Sequence, residues 1–290
     1  MLDKSFTPKL TDDGSYTFFS DEFEELFHSH SGAKQEAQYK FIEPCQIKEK
    51  VTVKNTIKII DICYGLGYNT AVALENIWSI NSKTKIELFA LENDINVPLQ
   101  AIKSDLLDNF SDDVIDDLSS LANHQKLKNN RLNAQLLLGD ARQTIKTIIN
   151  QNFQAEAIFL DPFSPPKCPQ LWTVDFIKLV SQCLGKDGYL ATYSCAASVR
   201  TALQLAGLKI GATRSVGRRS PGTIANWKGN NLPPLSQQEI EHLQTRAAIP
   251  YRDPDLIDTA EIIKTRREKE QSKSDLEPSS HWKKRWSNNG

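Results

Sequence analysis

Short apolar runs alternate with segments of helical length through the middle of this 290-residue chain. Runs at 57–62, 86–91, 135–138, 157–160 and 188–194 read as strands, and segments at 69–80, 96–107, 141–150, 171–184 and 197–206 read as helices. That rhythm restricts the fold to a mostly parallel sheet with both faces covered, because each parallel crossover needs a connecting helix. The chain is therefore expected to be α/β. Two further β segments, 208–214 and 223–225, have no helix between them. The turn-rich Gly217-Arg218-Arg219-Ser220-Pro221-Gly222 separates them and predicts a hairpin at the end of the sheet.

The flanks differ in texture. Residues 1–55 hold a turn at Asp12-Asp13-Gly14-Ser15, two strand-like runs and a short helix at 36–41. From 229 onward come Pro233-Pro234, Pro250 and Pro254, a charged helix at 261–273 and the tail Ser279-Ser280-His281-Trp282-Lys283-Lys284-Arg285-Trp286. The expected organisation is a small amino-terminal β/α segment over 1–55 covering the pocket, a central domain over 56–228, and a basic, helical extension over 229–290. The six aspartates between Asp105 and Asp117 read as a solvated acidic helix or insertion.

No stretch approaches the ~20 apolar residues that span a bilayer, so no membrane partner is expected. The residues after Met1 lack a basic region followed by an apolar run, which points to a cytoplasmic location. Five cysteines, at 45, 63, 168, 183 and 195, include no Cys-x-x-Cys pair. They suit reduced thiols better than a disulfide framework, and no metal site is expected. The net charge of -1 hides an asymmetry. From Arg200 onward 16 Lys and Arg face 10 Asp and Glu, a net +6, against 19 and 26 before it, a net -7. A basic carboxyl third suits a polyanion, although solvated helical charge explains much of it. The oligomeric state is left open.

The chemistry concentrates where strands end. Asp161-Pro162-Phe163-Ser164-Pro165-Pro166-Lys167 directly follows the apolar run at 157–160. A carboxylate held by prolines at the carboxyl end of a buried strand is placed where open α/β sheets bind ligands. Tyr64-Gly65-Leu66-Gly67-Tyr68-Asn69-Thr70 joins the first strand to the first helix. Glycines 65 and 67 allow close backbone approach, and the helix start offers free amides. Thr70 stands where a dinucleotide fingerprint needs glycine, which weakens a nicotinamide or flavin assignment. Glu92 ends the second strand, where an acid can accept from both ribose hydroxyls of an adenosine ligand. Gly139-Asp140-Ala141 ends the third, where a carboxylate can accept from an adenine amino group. Either acid alone could be a helix N-cap; strand-end acids at 92, 140 and 161 together are harder to attribute to capping.

These residues carry a resemblance. Phe18-Phe19-Ser20-Asp21-Glu22-Phe23, Leu26-Phe27-His28-Ser29 and Gly32-Ala33-x-x-Glu36-Ala37 resemble the amino-terminal segment of the MnmC-type tRNA methyltransferase family. So do Cys63-Tyr64-Gly65-Leu66-Gly67-Tyr68-Asn69, Asp161-Pro162-Phe163-Ser164-Pro165 with Trp172, and Gly217-Arg218-Arg219 before Gly222. Asp161-Pro162-Phe163 is also similar to the Asp-Pro-Pro-Tyr turn of methyltransferases that act on exocyclic nitrogen. Tyr64 departs from the phenylalanine usual in the family's first turn, a conservative change.

The resemblance implies a Rossmann-like class I methyltransferase sheet ending in an antiparallel strand, with S-adenosyl-L-methionine as cofactor. It implies methyl transfer to the aminomethyl nitrogen of 5-aminomethyl-(2-thio)uridine at the tRNA wobble position. Asp161 would hold the amine. Tyr64, Gly65, Gly67, Asn69, Glu92, Asp140, Ala141 and Glu36 would serve the cofactor, and His28, Ser29, Phe163 and Pro165 would line the substrate pocket. Candidates for RNA contact are Arg214, Arg218, Arg219, Lys228, Lys283, Lys284 and Arg285; a tail that packs its tryptophans and leaves its cations in water is the competing reading.

Bifunctional members add a flavin-dependent domain. This sequence holds a single Gly-x-Gly turn, so the methylation half alone is expected, with a separate enzyme supplying the aminomethyl precursor. Two alternatives stay open: a methyl- or aminopropyl-transferase for a small amine, and a non-catalytic RNA-binding module. The acidic ladder of Glu92, Asp140 and Asp161 counts against the module, which has no need of it.

Overall fold

The computed structural model describes residues 7–215 and 220–287. The chain begins with two antiparallel hairpins, β1 (Lys9–Leu10) with β2 (Tyr16–Thr17) and β3 (Phe19–Ser20) with β4 (Glu25–Leu26). Asp13 fixes the first turn. Its Oδ1 accepts from the Ser15 amide at 3.0 Å and its Oδ2 from the Gln35 amide at 2.8 Å, which ties the hairpin to helix α1 (Ala33–Ala37). A π-helical turn, Gln38–Ile42, and α2 (Ile47–Val53) lead into the sheet.

The central alternation follows as β5 (Thr56–Ile62), α3 (Tyr68–Ile80), β6 (Lys85–Glu92), α4 (Asn96–Lys103), α5 (Asp112–His124), β7 (Lys126–Lys128) and β8 (Leu132–Leu138). It continues with α6 (Ala141–Asn150), β9 (Ala155–Leu160), α7 (Val174–Gln182), β10 (Leu184–Thr192), α8 (Ala197–Leu205), β11 (Lys209–Ala212) and β12 (Thr223–Asn226). The sheet order is β11-β12-β10-β9-β5-β6-β8-β7. Strands β8, β6, β5, β9 and β10 are parallel, and β12 runs antiparallel to both its neighbours. This is the Rossmann-like methyltransferase sheet.

Alternation along β5 divides the core. Ile57 and Ile59 face a cluster with α3, α4, α5 and the amino-terminal segment, whereas Ile60 and Ile62 face a second with α6, α7 and α8. Burial of each such side chain contributes ~1.5–3 kcal/mol, and a one-residue register slip would swap the two sets between clusters they do not fit.

Several boundaries differ from those expected. The terminal hairpin forms, but β12 inserts between β10 and β11, so β11 becomes the edge. Helix α4 stops at Lys103 because Asp105 adopts a left-handed φ of 53°. The helix expected over 171–184 divides into a 3-10 turn, Pro169–Trp172, and α7, whose start is capped by the Thr173 hydroxyl. Gly185 lies inside β10 rather than ending a helix. The aspartate-rich segment is helix α5, solvated on one side but burying Val114, Leu118 and Leu121 on the other.

The extension folds as α9 (Gln237–His242), a 3-10 turn at Arg246–Ala248, α10 (Ala260–Ser272) and α11 (Ser279–Ser287). Trp282 stacks on His242 with ring centroids 4.1 Å apart, and Trp286 Nε1 donates to Glu241 at 2.9 Å. The tail therefore packs its tryptophans on α9. Among the described residues no helix is long and apolar enough to cross a membrane, and no cluster of His, Cys, Asp and Glu could hold a metal.

Candidate active site

The carboxyl ends of β5, β6, β8, β9 and β10 open into one cavity of about 960 Å³. The strand order reverses between β5 and β9, the place where open α/β sheets part their loops and leave a crevice.

One wall is the β5–α3 turn. Cys63 takes a left-handed φ of 66°, and Gly65 and Gly67 follow at 55° and 87°. A Cβ on Gly67 would lie 2.8 Å from the Tyr64 hydroxyl oxygen, so Tyr64 fills the space the glycine vacates. The Gly65 amide donates to Glu92 Oε2 at 2.8 Å, and the Asn93 and Asp94 amides donate to Oε1 at 2.8 and 3.0 Å. Glu92 thus binds two strand-end turns together. Burial raises its pKa above the ordinary carboxylate value, and the three amides work against that rise. Oε2 carries one of these bonds and can accept another.

Asp140 caps α6 by accepting from the Arg142 amide at 2.9 Å. It also grips that residue's guanidinium, with Nη2 at 2.6 Å and Nε at 3.0 Å from Oδ2. Arg142 turns its other arm to Asp253, whose Oδ2 accepts from Nη1 at 2.6 Å. Burial disfavours the guanidinium charge, but the two carboxylates outweigh it and raise the Arg142 pKa.

Asp161 leaves β9 with its amide donating to the Ile62 carbonyl at 3.1 Å and its Oδ2 accepting from Asn69 Nδ2 at 2.8 Å. The loop behind it is pinned at successive carbonyls. Tyr193 donates its hydroxyl to Pro162 at 2.9 Å, and Trp172 donates Nε1 to Phe163 at 2.8 Å. The β3–β4 hairpin closes over this loop. Phe23 stacks on Phe163 with centroids 4.3 Å apart, Ser164 donates its amide to Glu25 at 3.0 Å, and Lys167 pairs with Glu24.

The amino-terminal segment supplies the remaining wall. Ser29 donates its amide to buried Glu36 at 3.0 Å. His28 is buried edge-on against Tyr68, its Nδ1 has no partner, and desolvation lowers its pKa to about 4 against the pull of Glu36 and Asp13. It is neutral at pH 7. Because the folded pKa lies below the ordinary 6.5, the stability His28 contributes is present above pH 6.5 and is lost as pH falls through 4. The loss is roughly 3 kcal/mol at full protonation. Buried Asp61, raised to about 7 by desolvation, acts with the opposite sign, since its favourable protonation is lost as pH rises through 7. A His28→Phe protein should therefore lose less thermal stability than the parent between pH 7 and pH 4.5. Parallel melts would show it, and equal losses would contradict the assignment.

The cavity brings together His28, Ser29 and Glu36 with Gly65, Glu92, Asp140, Ala141, Asp161 and Phe163. Other expected positions lie elsewhere. Tyr64, Gly67 and Asn69 stand behind the lining; Asn69 holds Asp161 in place. Pro165 is buried and does not line the cavity, whereas Pro162 and Ser164 do. Arg214 is exposed with its guanidinium 3.7 Å from the Tyr39 ring centroid. Arg218 and Arg219 lie outside the described residues. Lys228 pairs with Asp187. Arg285 is engaged by Glu277 and Glu241, while Lys283 and Lys284 are exposed.

Sequence reading gave no role to Arg142, Asp253, Glu25 or Phe23, although Phe23 stands in the amino-terminal motif. Only Arg142 left a local signal, an arginine two residues after a strand-end aspartate. The others act across long separations.

A family model described as S-adenosyl-L-methionine-dependent methyltransferase matches residues 103–228. The crystal structure of MNMC2 from Aquifex aeolicus superposes with a TM-score of 0.82 at 34% identity, covering 93% of this chain and 86% of that one. An uncharacterized protein of Methanocaldococcus jannaschii is 31% identical over 276 residues, covering 91% of this chain and 72% of its own. The tRNA 5-methylaminomethyl-2-thiouridine biosynthesis bifunctional protein MnmC of Leptospira interrogans is 21% identical over 238 residues, 77% of this chain. This chain spans only 36% of that relative's length, about a third. A strand-end cavity lined by carboxylates, on a mostly parallel sheet with β12 antiparallel near one edge, agrees with these likenesses, and the chain belongs to the MnmC-type family of S-adenosyl-L-methionine-dependent methyltransferases.

Proposed function

We propose that this methyltransferase acts on the aminomethyl nitrogen of 5-aminomethyl-uridine, with or without a 2-thio group, at the tRNA wobble position. The observation that carries the proposal is Asp161, fixed by Asn69 and set beside Phe163 in the cavity that Glu92 and Asp140 also line.

The residues present fit S-adenosyl-L-methionine. Gly65 and Gly139 leave the wall free of side chains, and a Cβ at Gly139 would meet only Thr144, at 3.7 Å. Glu92 keeps accepting capacity for ribose hydroxyls, Asp140 stands ready for the adenine amine, and buried Glu36 suits the methionine ammonium. The cofactor, when bound, supplies an already activated methyl group.

Position and protonation are then left to the protein. An acceptor amine attacks only as the neutral base, with its lone pair aligned to the methyl–sulfur bond. Asp161 would accept an N–H of that amine, orient it, and take the proton released as the new C–N bond forms. Asn69 keeps the carboxylate at that angle by occupying one lone pair. Pro162 and Phe163 shield the site from water, and neutral His28 adds no charge to repel the amine. Arg214 follows β11, which runs in the same direction as β9, and with Lys283 and Lys284 would meet phosphates.

Incubation with methyl-labelled S-adenosyl-L-methionine and tRNA bearing wobble 5-aminomethyl-uridine should yield 5-methylaminomethyl-uridine by mass spectrometry. Cofactor binding without transfer to that tRNA would overturn the substrate assignment and favour a small-amine acceptor.

A further inference from the structure

We propose that the carboxyl-terminal extension is part of the cofactor site: Asp253 anchors Arg142, and Arg142 fixes the Asp140 carboxylate at the adenine end of the cavity. The inference rests on the placement of adenine at Asp140 given above.

Three observations carry it. Asp140 is the only member of the chain of contacts that faces the cavity with substantial exposure, 39% of its side chain, and a carboxylate so placed has rotameric freedom unless it is held. A guanidinium holds it. Nε and Nη2 form a two-pronged grip that fixes the plane of the carboxylate as well as its position, a task a point charge cannot perform. The guanidinium is itself fixed from behind, because Nη1 donates to Asp253 Oδ2 at 2.6 Å and to the Asp258 carbonyl at 3.0 Å.

Asp253 is suited to the anchoring role. It is fully buried, with 0% exposure, and its backbone amide donates to Asp175 Oδ2 at 2.8 Å. Its Oδ1 accepts from the amides of Ile257 and Asp258 at 3.2 Å each, so the two oxygens divide their work between the local turn and Arg142. The neighbouring Tyr251 carbonyl accepts from the Val174 amide at 3.0 Å, which straps this stretch to the start of α7. A segment 111 residues from Arg142 in sequence thereby sets, through it, the orientation of a cavity-facing acid. The methyl-transfer end of the cavity, at Asp161, takes no part in these contacts. Loss of the anchor should therefore weaken cofactor binding and leave turnover at saturating cofactor intact.

Asp253→Asn in the full chain is the direct test, because the amide keeps an acceptor for the turn and presents a donor to Arg142. Calorimetric affinities for S-adenosylhomocysteine and for adenosine should both fall roughly tenfold, as expected for a lost hydrogen bond between charged groups. Thermal melts without ligand would show that the protein remains folded, and turnover at saturating cofactor should stay within twofold. Should Asp253→Asn fail to fold, Arg142→Lys keeps the buried charge but not the fork, and the same loss in adenosine affinity is expected. Asp140→Asn separates this inference from the reading beneath it. If Asp140→Asn weakens adenosine while folded Asp253→Asn and Arg142→Lys bind normally, the anchor has no role. If none of the three weakens adenosine, adenine does not lie at Asp140 and both are overturned.

Discussion

Replacing Asp161 by alanine is expected to slow methyl transfer by about a thousandfold or more while S-adenosylhomocysteine still binds within about tenfold of the parent affinity. The separation follows from the geometry. Asp161 is set by the end of β9, by its amide on the Ile62 carbonyl and by Asn69, and none of these also holds Glu92 or Asp140. Proton acceptance and orientation by one positioned side chain contribute about 10²–10⁴ in rate, so their joint loss lies at the upper end of that range. Asp161→Asn sharpens the test, since its amide oxygen can still accept from Asn69 but the side chain can no longer take a proton. Single-turnover reactions followed by nucleoside mass spectrometry would give the rates. Parent-like transfer by Asp161→Ala would remove Asp161 from the mechanism.

The second large effect is expected at the opposite wall. Glu92→Ala should weaken S-adenosylhomocysteine about a hundredfold, because hydrogen bonds to a charged group contribute ~1.5–3 kcal/mol each and each 1.4 kcal/mol is about tenfold. Two losses combine. The ligand hydroxyls lose their acceptor, and the amides of Gly65, Asn93 and Asp94 lose the group that orders both turns. Glu92→Gln retains one accepting oxygen and should fall between parent and alanine. Calorimetry decides; undiminished affinity in Glu92→Ala would place the ribose elsewhere.

Much of this site was legible in the sequence because it is built from strand ends. A buried parallel strand announces itself as an apolar run, and the residue that follows it faces the crevice, so Glu92, Asp140 and Asp161 could be placed without coordinates. Legibility stopped where position depends on a partner distant in the chain. Asn69 follows the glycine turn and so reads as a cofactor residue, yet its amide crosses 92 positions to Asp161. Pro165 and Phe163 are two residues apart, but the bonds from Trp172 and Tyr193 tilt the loop so that one is buried and the other faces the cavity. The left-handed Cys63 was hidden because no glycine marks it. The carboxyl-terminal cations were judged as charges, whereas Glu277 and Glu241 decide that Arg285 is occupied.

The placement of β12 inside the sheet decides which strands form its two rims. An eight-stranded sheet has two rims of unpaired amides and carbonyls, each a template onto which a foreign strand could add. Here one rim is the three-residue β7, which carries Lys126 and Lys128 and is too short to offer a continuous ladder. The other is β11, along which the following chain lies: the Ala212 amide donates to the Pro233 carbonyl at 3.1 Å. Pro233 and Pro234 accept but have no amide to pass on, so the ladder ends there. Replacing that pair by residues with amides would restore donors to a growing edge, turning a stop into a point of addition for misassembly.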